Sequence, residues 1–434
     1  MDFFIFFVCT AALLFFYRQW RNHVGFVFFS ITAAYVISIL WVPYFAICNV
    51  VLNAGWKAPV QGWEFSLVGG TFCSAVCLAS FAKVAFPFRP SSRSLAKLAR
   101  FGSSAKGRVY IFVGLAVGIF AMVVLGTSKG ITLSVGNYGS RFEANAGTGI
   151  FSIFSYVVVS VAVVRLACSP HRSTVLTSLM ISVAYGMILF LTLGGERNYL
   201  VAAVAPVLLL SYMLRIIDGK RLLFFVFLCV VGITGLAFVR YGDRITSGVW
   251  LLVATYTRDT VFPVESLETI FHRDHLKFVG FEFFFEQFYS IIPRFMWPGK
   301  PIYLDTIAYY FTEHVYDYGK GLVIAPTGIG SLYLMGGWLY VIIGVNIVIG
   351  IFFILDYLIF NCNTLFFVSL WPTVFFSFFS FRESIELGLF KIIVHSLGTL
   401  CICFLAGLVY ALLPKKHGHA GRLERKGALS VQDV

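Results

Sequence analysis

The sequence predicts an all-α polytopic membrane protein with about eleven transmembrane helices, within a range of roughly ten to thirteen. Hydrophobic residues make up 59% of the 434 residues and charged residues only 12%, and the mean hydropathy is +0.87. This composition excludes a soluble globular domain. The apolar residues are gathered in runs of roughly 17 to 25, the length that a helix needs to cross the hydrocarbon core of a bilayer.

Each apolar run is assigned to one predicted span. The first run lacks a small-residue cleavage site and is followed at once by Arg18 and Arg21, so we interpret it as a retained helix rather than a signal peptide. No internal repeat divides the chain, and residues 1–434 are expected to form a single membrane domain. The predicted spans cover residues 2–17, 24–47, 65–87, 109–127, 149–168, 175–194, 199–214, 222–239, 328–355, 364–381 and 388–413.

The loops between the predicted spans fall into two sets by charge. One set is basic and contains almost no carboxylate other than Asp218. By the positive-inside rule these loops lie in the cytoplasm, together with the basic tail of residues 415–434. The other set mixes both signs of charge and is expected outside, with the N-terminus. The net charge of +13 therefore reflects orientation in the membrane, and no nucleic-acid partner is expected.

One outer connection is much longer than the others, a large loop region of residues 240–330. Three stretches in it are candidate helices: two have apolar residues at helical spacing, and the aromatic one has Glu282 and Glu286 one turn apart. The first is VESLETIFHRDHL after Pro263, the second is the aromatic run of residues 281–292, and the third covers residues 304–315. We expect these stretches to form amphipathic helices that lie at the membrane surface.

Charged residues are found in the outer loops and turns, where they are costly unless paired or hydrated. Guanidinium groups bind phosphate in a bidentate manner. Several outer arginines that converge in a helical bundle would therefore bind an anionic, phosphorylated, lipid-borne substrate. For any one residue, an interfacial anchor or a structural ion pair is an equally good interpretation. The charged candidates are Arg141, Arg197, Arg258, Asp259, Arg294, Lys300, Arg382 and Glu383.

The loop also offers candidates for sugar binding, namely Tyr303, Tyr310 and His314. Aromatic rings stack on sugars, although tyrosines at a membrane surface more often form an aromatic belt. The histidines of this loop lack metal-ligand spacing, and the nine cysteines lie in or beside apolar runs. Neither a metal site nor a disulfide framework is expected.

Five stretches carry a resemblance to a known family. They read LTLGGERNYL, YTRDTVFPVESL, FYSIIPRFMWPGKP, GKGLVIAPTGIGSLYLMGG and FRESIE, and the resemblance runs from about Gly194 to Glu383. Together they resemble the Wzy-type repeat-unit polymerases of bacterial surface polysaccharides, and the branch that polymerises enterobacterial common antigen most of all. The N-terminal half matches this family only in hydropathy, apart from the turn NYGSRFEANAG.

The resemblance implies a multispan glycosyltransferase of the bacterial inner membrane whose active site faces the periplasm. Its donor and acceptor would both be glycans linked to undecaprenyl pyrophosphate, and its protein partner a Wzz-type chain-length co-polymerase. Because the pyrophosphate already activates the anomeric carbon, no cofactor is needed. The enzyme has to stabilise charge on the departing diphosphate and supply a base for the attacking hydroxyl.

Arginines suit the first of these tasks. In a reaction of this kind, the donor pyrophosphate is expected to be bound by Arg258, Arg294 and Arg382. Further ligands to either carrier are expected to be Arg141, Arg197 and Lys300.

A carboxylate suits the second task, and two are candidates. Asp259 is favoured over Glu383, because TRDT precedes Pro263 and a predicted helix, which would hold the carboxylate in a turn. Either carboxylate is equally able to orient the arginine beside it, and His314 is a weaker third candidate base.

Three other functions remain open. An O-antigen ligase would transfer the lipid-linked glycan to the core of lipid A, and it shares the membrane setting and the large outer loop. A secondary transporter would favour ion-binding carboxylates near the middle of the membrane or paired broken helices. A non-catalytic assembly subunit would tolerate loss of the outer arginines.

Overall fold

The computed structural model describes residues 1–20, 23–86, 92–129, 149–192, 198–241, 249–273, 275–292, 296–301, 304–318 and 323–413. For residues 92–94, 128–129, 230, 233–234, 236–241, 259–260 and 264 it describes the backbone alone. All regular secondary structure in these ranges is helical, as the sequence predicts.

The helices are numbered in chain order. The first half of the chain forms α1 (Asp2–Trp20), α2 (Phe26–Ser38), α3 (Trp41–Leu52), α4 (Gly62–Ala85), α5 (Ser92–Ser103), α6 (Ala105–Lys129), α7 (Gly149–Ser155), α8 (Val157–Cys168), α9 (Arg172–Thr192) and α10 (Asn198–Met213). The second half forms α11 (Gly219–Tyr241), α12 (Val249–Val261), α13 (Val264–Phe271), α14 (Glu282–Tyr289), α15 (Ile307–Tyr310), α16 (Gly328–Asn361), α17 (Thr364–Leu370), α18 (Phe376–Arg382) and α19 (Ile385–Leu412).

Each predicted membrane span coincides with helix in the structure. Among the described residues, eight helical segments are long and apolar enough to cross a membrane, and a bent pair of helices adds a ninth. These nine coincide with nine of the eleven predicted spans. The other two predicted spans coincide with α10, which has 16 residues, and α11, which has 23. The all-α polytopic architecture is confirmed.

Helix α16 is broken near its start. It contains 34 residues, which corresponds to about 51 Å, more than a bilayer core of roughly 30 Å requires. The break falls at two consecutive glycines, and Gly337 has φ +73°, a conformation that favours glycine. The N–H groups of Val279 and Gly280 donate to the carbonyls of Leu334 and Met335 at 3.0 and 3.1 Å. The single predicted span is thus a short helix followed by a long one.

A proline interrupts the hydrogen bonds of α10. Pro206 has no N–H, so the carbonyl of Ala202, four residues earlier, loses its usual donor. The hydroxyl of Tyr156 donates to this carbonyl at 3.0 Å. The carbonyl of Pro206 in turn accepts from the indole N–H of Trp371 at 3.2 Å. Polar side chains of neighbouring helices therefore satisfy the backbone that the proline disturbs.

A second proline bends the segment formed by α17 and α18. Pro372 deprives the carbonyl of Val368 of its donor, and the Ser160 hydroxyl of α8 supplies one at 2.7 Å. Tyr110 donates to the same Ser160 at 2.7 Å. The two helices meet at 41°, so the predicted straight span of residues 364–381 is in fact a bent pair of helices with its broken backbone satisfied from α8.

The large loop region contains the three predicted amphipathic segments. Helix α13 buries Leu267 and Ile270, and α15, continued by a π-helical turn, buries Ile307 and Phe311. Helix α14 has no buried residue and exposes apolar rings, which suits a helix lying in the membrane interface. Helix α12, which precedes α13, is not among the predicted helices.

Helix α2 begins at a carboxylate from the far end of the chain. Asp356 of α16 accepts the backbone N–H groups of Phe26 and Val27 at 2.7 and 3.0 Å, and it is only 1% exposed. The first N–H groups of a helix lack partners and carry partial positive charge. A Cβ atom at Gly25 would overlap this carboxylate. Asp356 therefore ties the start of α2 to the end of α16.

We expect Asp356→Ala to lower the free energy of unfolding by about 2–4 kcal/mol, because two buried N–H groups lose their acceptor. Asp356→Asn keeps an acceptor oxygen and should cost less. The control is Asp317→Ala, which removes an exposed ion pair with Arg273 and should cost at most about 1 kcal/mol. The measurement is thermal unfolding of the purified protein in detergent. Equal melting of the Asp356→Ala and Asp317→Ala variants would contradict this role.

Candidate active site

The structure describes some of the predicted site residues and not others. Arg141, Arg197, Arg294 and Tyr303 lie outside the described residues, and only the backbone of Asp259 is described. The roles predicted for these five residues stay predictions. The side chains of the remaining candidates are described, namely Arg258, Lys300, Tyr310, His314, Arg382 and Glu383.

Arg258 is held between an aromatic ring and a carboxylate. Its guanidinium carbon lies 5.2 Å from the centre of the Trp56 ring, and one guanidinium nitrogen lies 3.5 Å from a carboxylate oxygen of Glu265. Asn49 fixes the Trp56 backbone, because its amide group donates to the Trp56 carbonyl and accepts from the Trp56 N–H, each at 2.8 Å. The Arg258 side chain remains 24% exposed. It is thus an oriented cation that a ligand is able to reach.

The expected turn at Asp259 is wrong. Helix α12 continues through Arg258 and Asp259 and ends at Val261, two residues before Pro263. Arg258 has a carboxylate within reach seven residues away, that of Glu265 at the start of α13.

The second arginine lies in the connection between α18 and α19. Arg382 is the last residue of α18, and a nitrogen of its guanidinium lies 3.9 Å from one carboxylate oxygen of Glu383. That same oxygen accepts a hydrogen bond from the Asn198 side-chain amide. The other oxygen accepts from the Lys391 ammonium at 3.0 Å. Glu383 is therefore bonded more closely to Lys391 than to its sequence neighbour.

Close packing of α18 and α19 fixes this connection. A Cβ atom at Gly388 would overlap both the backbone and the hydroxyl of Ser380, so only a glycine allows the two helices to approach this closely. Within the cluster, 20% of the Arg382 side chain is exposed, against 8% for Glu383 and 6% for Lys391. A ligand is therefore able to reach Arg382 but not the two charges behind it.

Sequence reasoning missed several polar residues of this region. Lys391 and His395 lie inside the predicted span of residues 388–413, and both are buried. Asn198, which begins α10, was not a candidate. Glu386 is 0% exposed, and its oxygens have no hydrogen-bond partner of normal geometry in the described part of the chain, although the Ser384 hydroxyl lies beside it. Ionisable residues within an apolar run were the available signal.

The start of α16 lies between the two arginine pairs. A Cβ atom at Gly328 would lie 2.7 Å from the Ser380 carbonyl oxygen, at the end of α18. A Cβ atom at Gly330 would lie 2.7 Å from Ile270 of α13. The Ser331 hydroxyl accepts from the first N–H of α19, that of Ile385, at 3.3 Å. One helix end therefore supports both the α12–α13 corner and the α18–α19 connection.

Lys300 has a structural role in the large loop region. Its ammonium donates to the backbone carbonyls of Ser290 and Ile292 at 2.8 and 2.9 Å, just beyond the end of α14. A lysine near the end of a helix satisfies carbonyls that lack a helical partner. Its predicted contact with a carrier phosphate stays a prediction.

The candidate sugar-binding pair lies in and beside α15. The Tyr310 hydroxyl donates to the Lys277 carbonyl at 3.0 Å, and its ring centre lies 5.1 Å from that of His314, which is exposed. Burial raises the pKa of Tyr310.

On α14, burial raises the pKa of Glu286, and the negative charge of Asp305 raises it further. No group of three residues able to hold a metal ion occurs among the described residues.

Comparison with known proteins identifies the family. A family profile described as WzyE protein, O-antigen assembly polymerase, matches residues 3–415. The chain belongs to the WzyE family. The predicted resemblance is confirmed and extends to the N-terminal half, and the name agrees with the common-antigen branch. A polymerase family favours neither the ligase nor the transporter. No solved structure matches the chain.

Gly328→Ala tests whether the start of α16 supports the arginine sites of this WzyE family member. The added methyl would collide with the end of α18, and we expect the free energy of unfolding to fall by about 1–3 kcal/mol. The matched control is Gly350→Ala in the same helix, where no atom lies within 4 Å, and which should be neutral or gain up to about 1 kcal/mol. Thermal unfolding in detergent measures both, and equal stability of the two variants would refute the close contact.

Proposed function

We propose that the protein polymerises repeat units linked to undecaprenyl pyrophosphate, on the periplasmic face of the inner membrane, into a glycan like enterobacterial common antigen. The observation that carries this proposal is the Arg382–Glu383 connection. It places a partly exposed, oriented arginine at the end of a membrane bundle in a chain of a polymerase family. The positive-inside rule puts this end, with the large loop region, outside the cytoplasm.

The arginines would stabilise the leaving group. When the glycosidic bond to pyrophosphate breaks, negative charge develops on the diphosphate, and fixed cations in a partly dehydrated site stabilise it strongly. Arg258 and Arg382 suit this role because each is oriented by a carboxylate and each remains partly exposed. The further phosphate ligands that we propose are Arg141, Arg197, Arg294 and Lys300.

The contacts of Glu383 favour an orienting role for it. Both of its oxygens already accept hydrogen bonds, from Asn198 and Lys391. We therefore assign the base to Asp259, which follows Arg258 in α12. In the proposed step Asp259 takes the proton of the acceptor hydroxyl while the hydroxyl oxygen bonds to the anomeric carbon. The bond from that carbon to the pyrophosphate oxygen breaks, and its electron pair leaves with the diphosphate.

The remaining assignments concern binding. Tyr303, Tyr310 and His314 are proposed to contact the sugars, since tyrosine and histidine rings present flat faces to them. A Wzz-type co-polymerase is proposed as the partner that sets chain length. The exposed apolar rings of α14 are proposed to contact the bilayer beside the lipid carriers.

A reconstituted assay tests this function. The purified protein and a repeat unit linked to undecaprenyl pyrophosphate are expected to give a ladder of longer lipid-linked glycans, with neither nucleotide sugar nor ATP present. Adding lipid A core separates the polymerase from a ligase, because a ligase would transfer the glycan to the core. Failure of the folded protein to lengthen any lipid-linked glycan would refute the proposal.

We expect Arg382→Ala to lower polymerisation by about 10²- to 10³-fold at normal protein level, as loss of one charge-stabilising donor does in other enzymes. Arg382→Lys should recover only a small part, because an ammonium does not replace a bidentate guanidinium. The rate of glycan lengthening measures both. Arg100→Ala in the basic helix α5 is the control and should polymerise normally. Full activity of the Arg382→Lys variant would leave only a general electrostatic role for this arginine.

Asp259→Asn is expected to retain binding of the lipid-linked substrate and to lose about two to four orders of magnitude in turnover, since the amide cannot take the proton. Glu383→Gln should weaken binding as well, because a displaced Arg382 holds pyrophosphate less well. The Michaelis constant and the turnover number, measured separately, distinguish these two patterns. If Asp259→Asn works at the normal rate while Glu383→Gln binds and does not turn over, then Glu383 is the base.

A further inference from the structure

Lys391 is a lysine two turns inside a membrane-spanning helix. Its side chain is 6% exposed, and its ammonium lies 3.0 Å from a carboxylate oxygen of Glu383. It also lies 5.6 Å from the centre of the Tyr199 ring. Tyr199 follows Asn198, the residue whose amide donates to the other oxygen of Glu383. Two adjacent residues of α10 therefore contact the two members of this buried ion pair.

Stability alone does not account for this pair. Removing two charges from water costs several kcal/mol for each ion, and apolar residues of similar size are often as stable or more so. Ionisable residues within a membrane span are costly, and where they occur they mark sites of function. The pair is therefore best explained by what its geometry does for a neighbouring group.

That neighbour is Arg382. The carboxylate of Glu383 is shared, with Lys391 on one oxygen and with Asn198 and Arg382 on the other. Because Lys391 holds the first oxygen, the carboxylate cannot rotate without losing a buried ion pair. The second oxygen is then kept beside the guanidinium. Of the three charged side chains, Arg382 has the largest exposed fraction, at 20%.

We infer that Lys391 is a positioning residue for the proposed polymerisation, which acts on Arg382 through Glu383. This inference rests on the proposed function and adds a residue that touches neither the donor nor the acceptor. Lys391 fixes the carboxylate, the carboxylate fixes the guanidinium, and the guanidinium binds the donor pyrophosphate.

The experiment compares Lys391→Met, Glu383→Gln and the double variant. Lys391→Met leaves a buried carboxylate without its cation and should melt at a lower temperature and lose polymerisation. The double variant removes one positive and one negative charge, so the net charge beside Arg382 is unchanged and the melting temperature should largely recover. We expect its polymerisation to stay at least about 100-fold below that of the wild type, and its affinity for undecaprenyl pyrophosphate to be about tenfold weaker.

Two further variants sharpen this test. Lys391→Arg keeps the buried cation and should retain substantially more polymerisation than the double variant. Lys83→Met is the matched control, because Lys83 also lies beside an aromatic ring, 5.1 Å from the centre of Trp20, in a membrane helix but away from Arg382. It should polymerise normally.

The possible outcomes distinguish failure of the positioning role of Lys391 from failure of the proposed polymerase function. A stable double variant that polymerises within threefold of the wild type, or binds undecaprenyl pyrophosphate as tightly, would overturn the positioning role. A wild-type protein that binds this lipid but lengthens no glycan would overturn the proposed function, and the affinities of the variants would still decide the role of Lys391. A wild-type protein that neither binds nor polymerises would overturn both.

Discussion

Hydrocarbon supplies no hydrogen bonds, so backbone polar groups within the membrane need partners inside the protein. This constraint accounts for many of the long-range contacts described above. The start of α2 takes its acceptor from Asp356, 330 residues away in sequence. The carbonyls freed by Pro206 and Pro372 take their donors from Tyr156 and Ser160. At each of these places, a polar group from another element supplies the hydrogen bond that the backbone lacks.

The same constraint governs the charges of the candidate site. Each of the two described arginines lies within 4 Å of a carboxylate, and each carboxylate has a further role in the structure. Glu265 lies in the first turn of α13, where a negative charge interacts favourably with the helix dipole. Glu383 joins α18, α19 and α10 through Arg382, Lys391 and Asn198. The site and the packing of the helices are therefore built from the same contacts.

The sequence predicts the positions of the helices well, because length and hydropathy suffice to recognise a membrane span. It predicts poorly which charged side chains contact each other. Adjacent charges such as Arg258 and Asp259 suggest a pair held in a turn, whereas Arg258 lies on a helix and has Glu265, seven residues away, within reach. Lys391 escaped notice because one charge in a long apolar run hardly changes its hydropathy, and its partner lies in the preceding connection. The break in α16 depends on the positive φ of Gly337, and hydropathy alone does not predict a backbone conformation.

The starts of three helices add positive electrostatic potential beside Arg382 in the α18–α19 connection. Helices α10, α16 and α19 all begin beside it, since Asn198 bonds to Glu383, Gly328 packs on Ser380, and Ile385 follows directly. The start of a helix carries partial positive charge and favours anions. Arg258, in contrast, lies in the last turn of α12, where the partial charge is negative and favours the arginine itself. Of the two described arginines, Arg382 therefore lies in the more positive electrostatic field, whereas the helix end beside Arg258 stabilises the positive charge of that side chain itself.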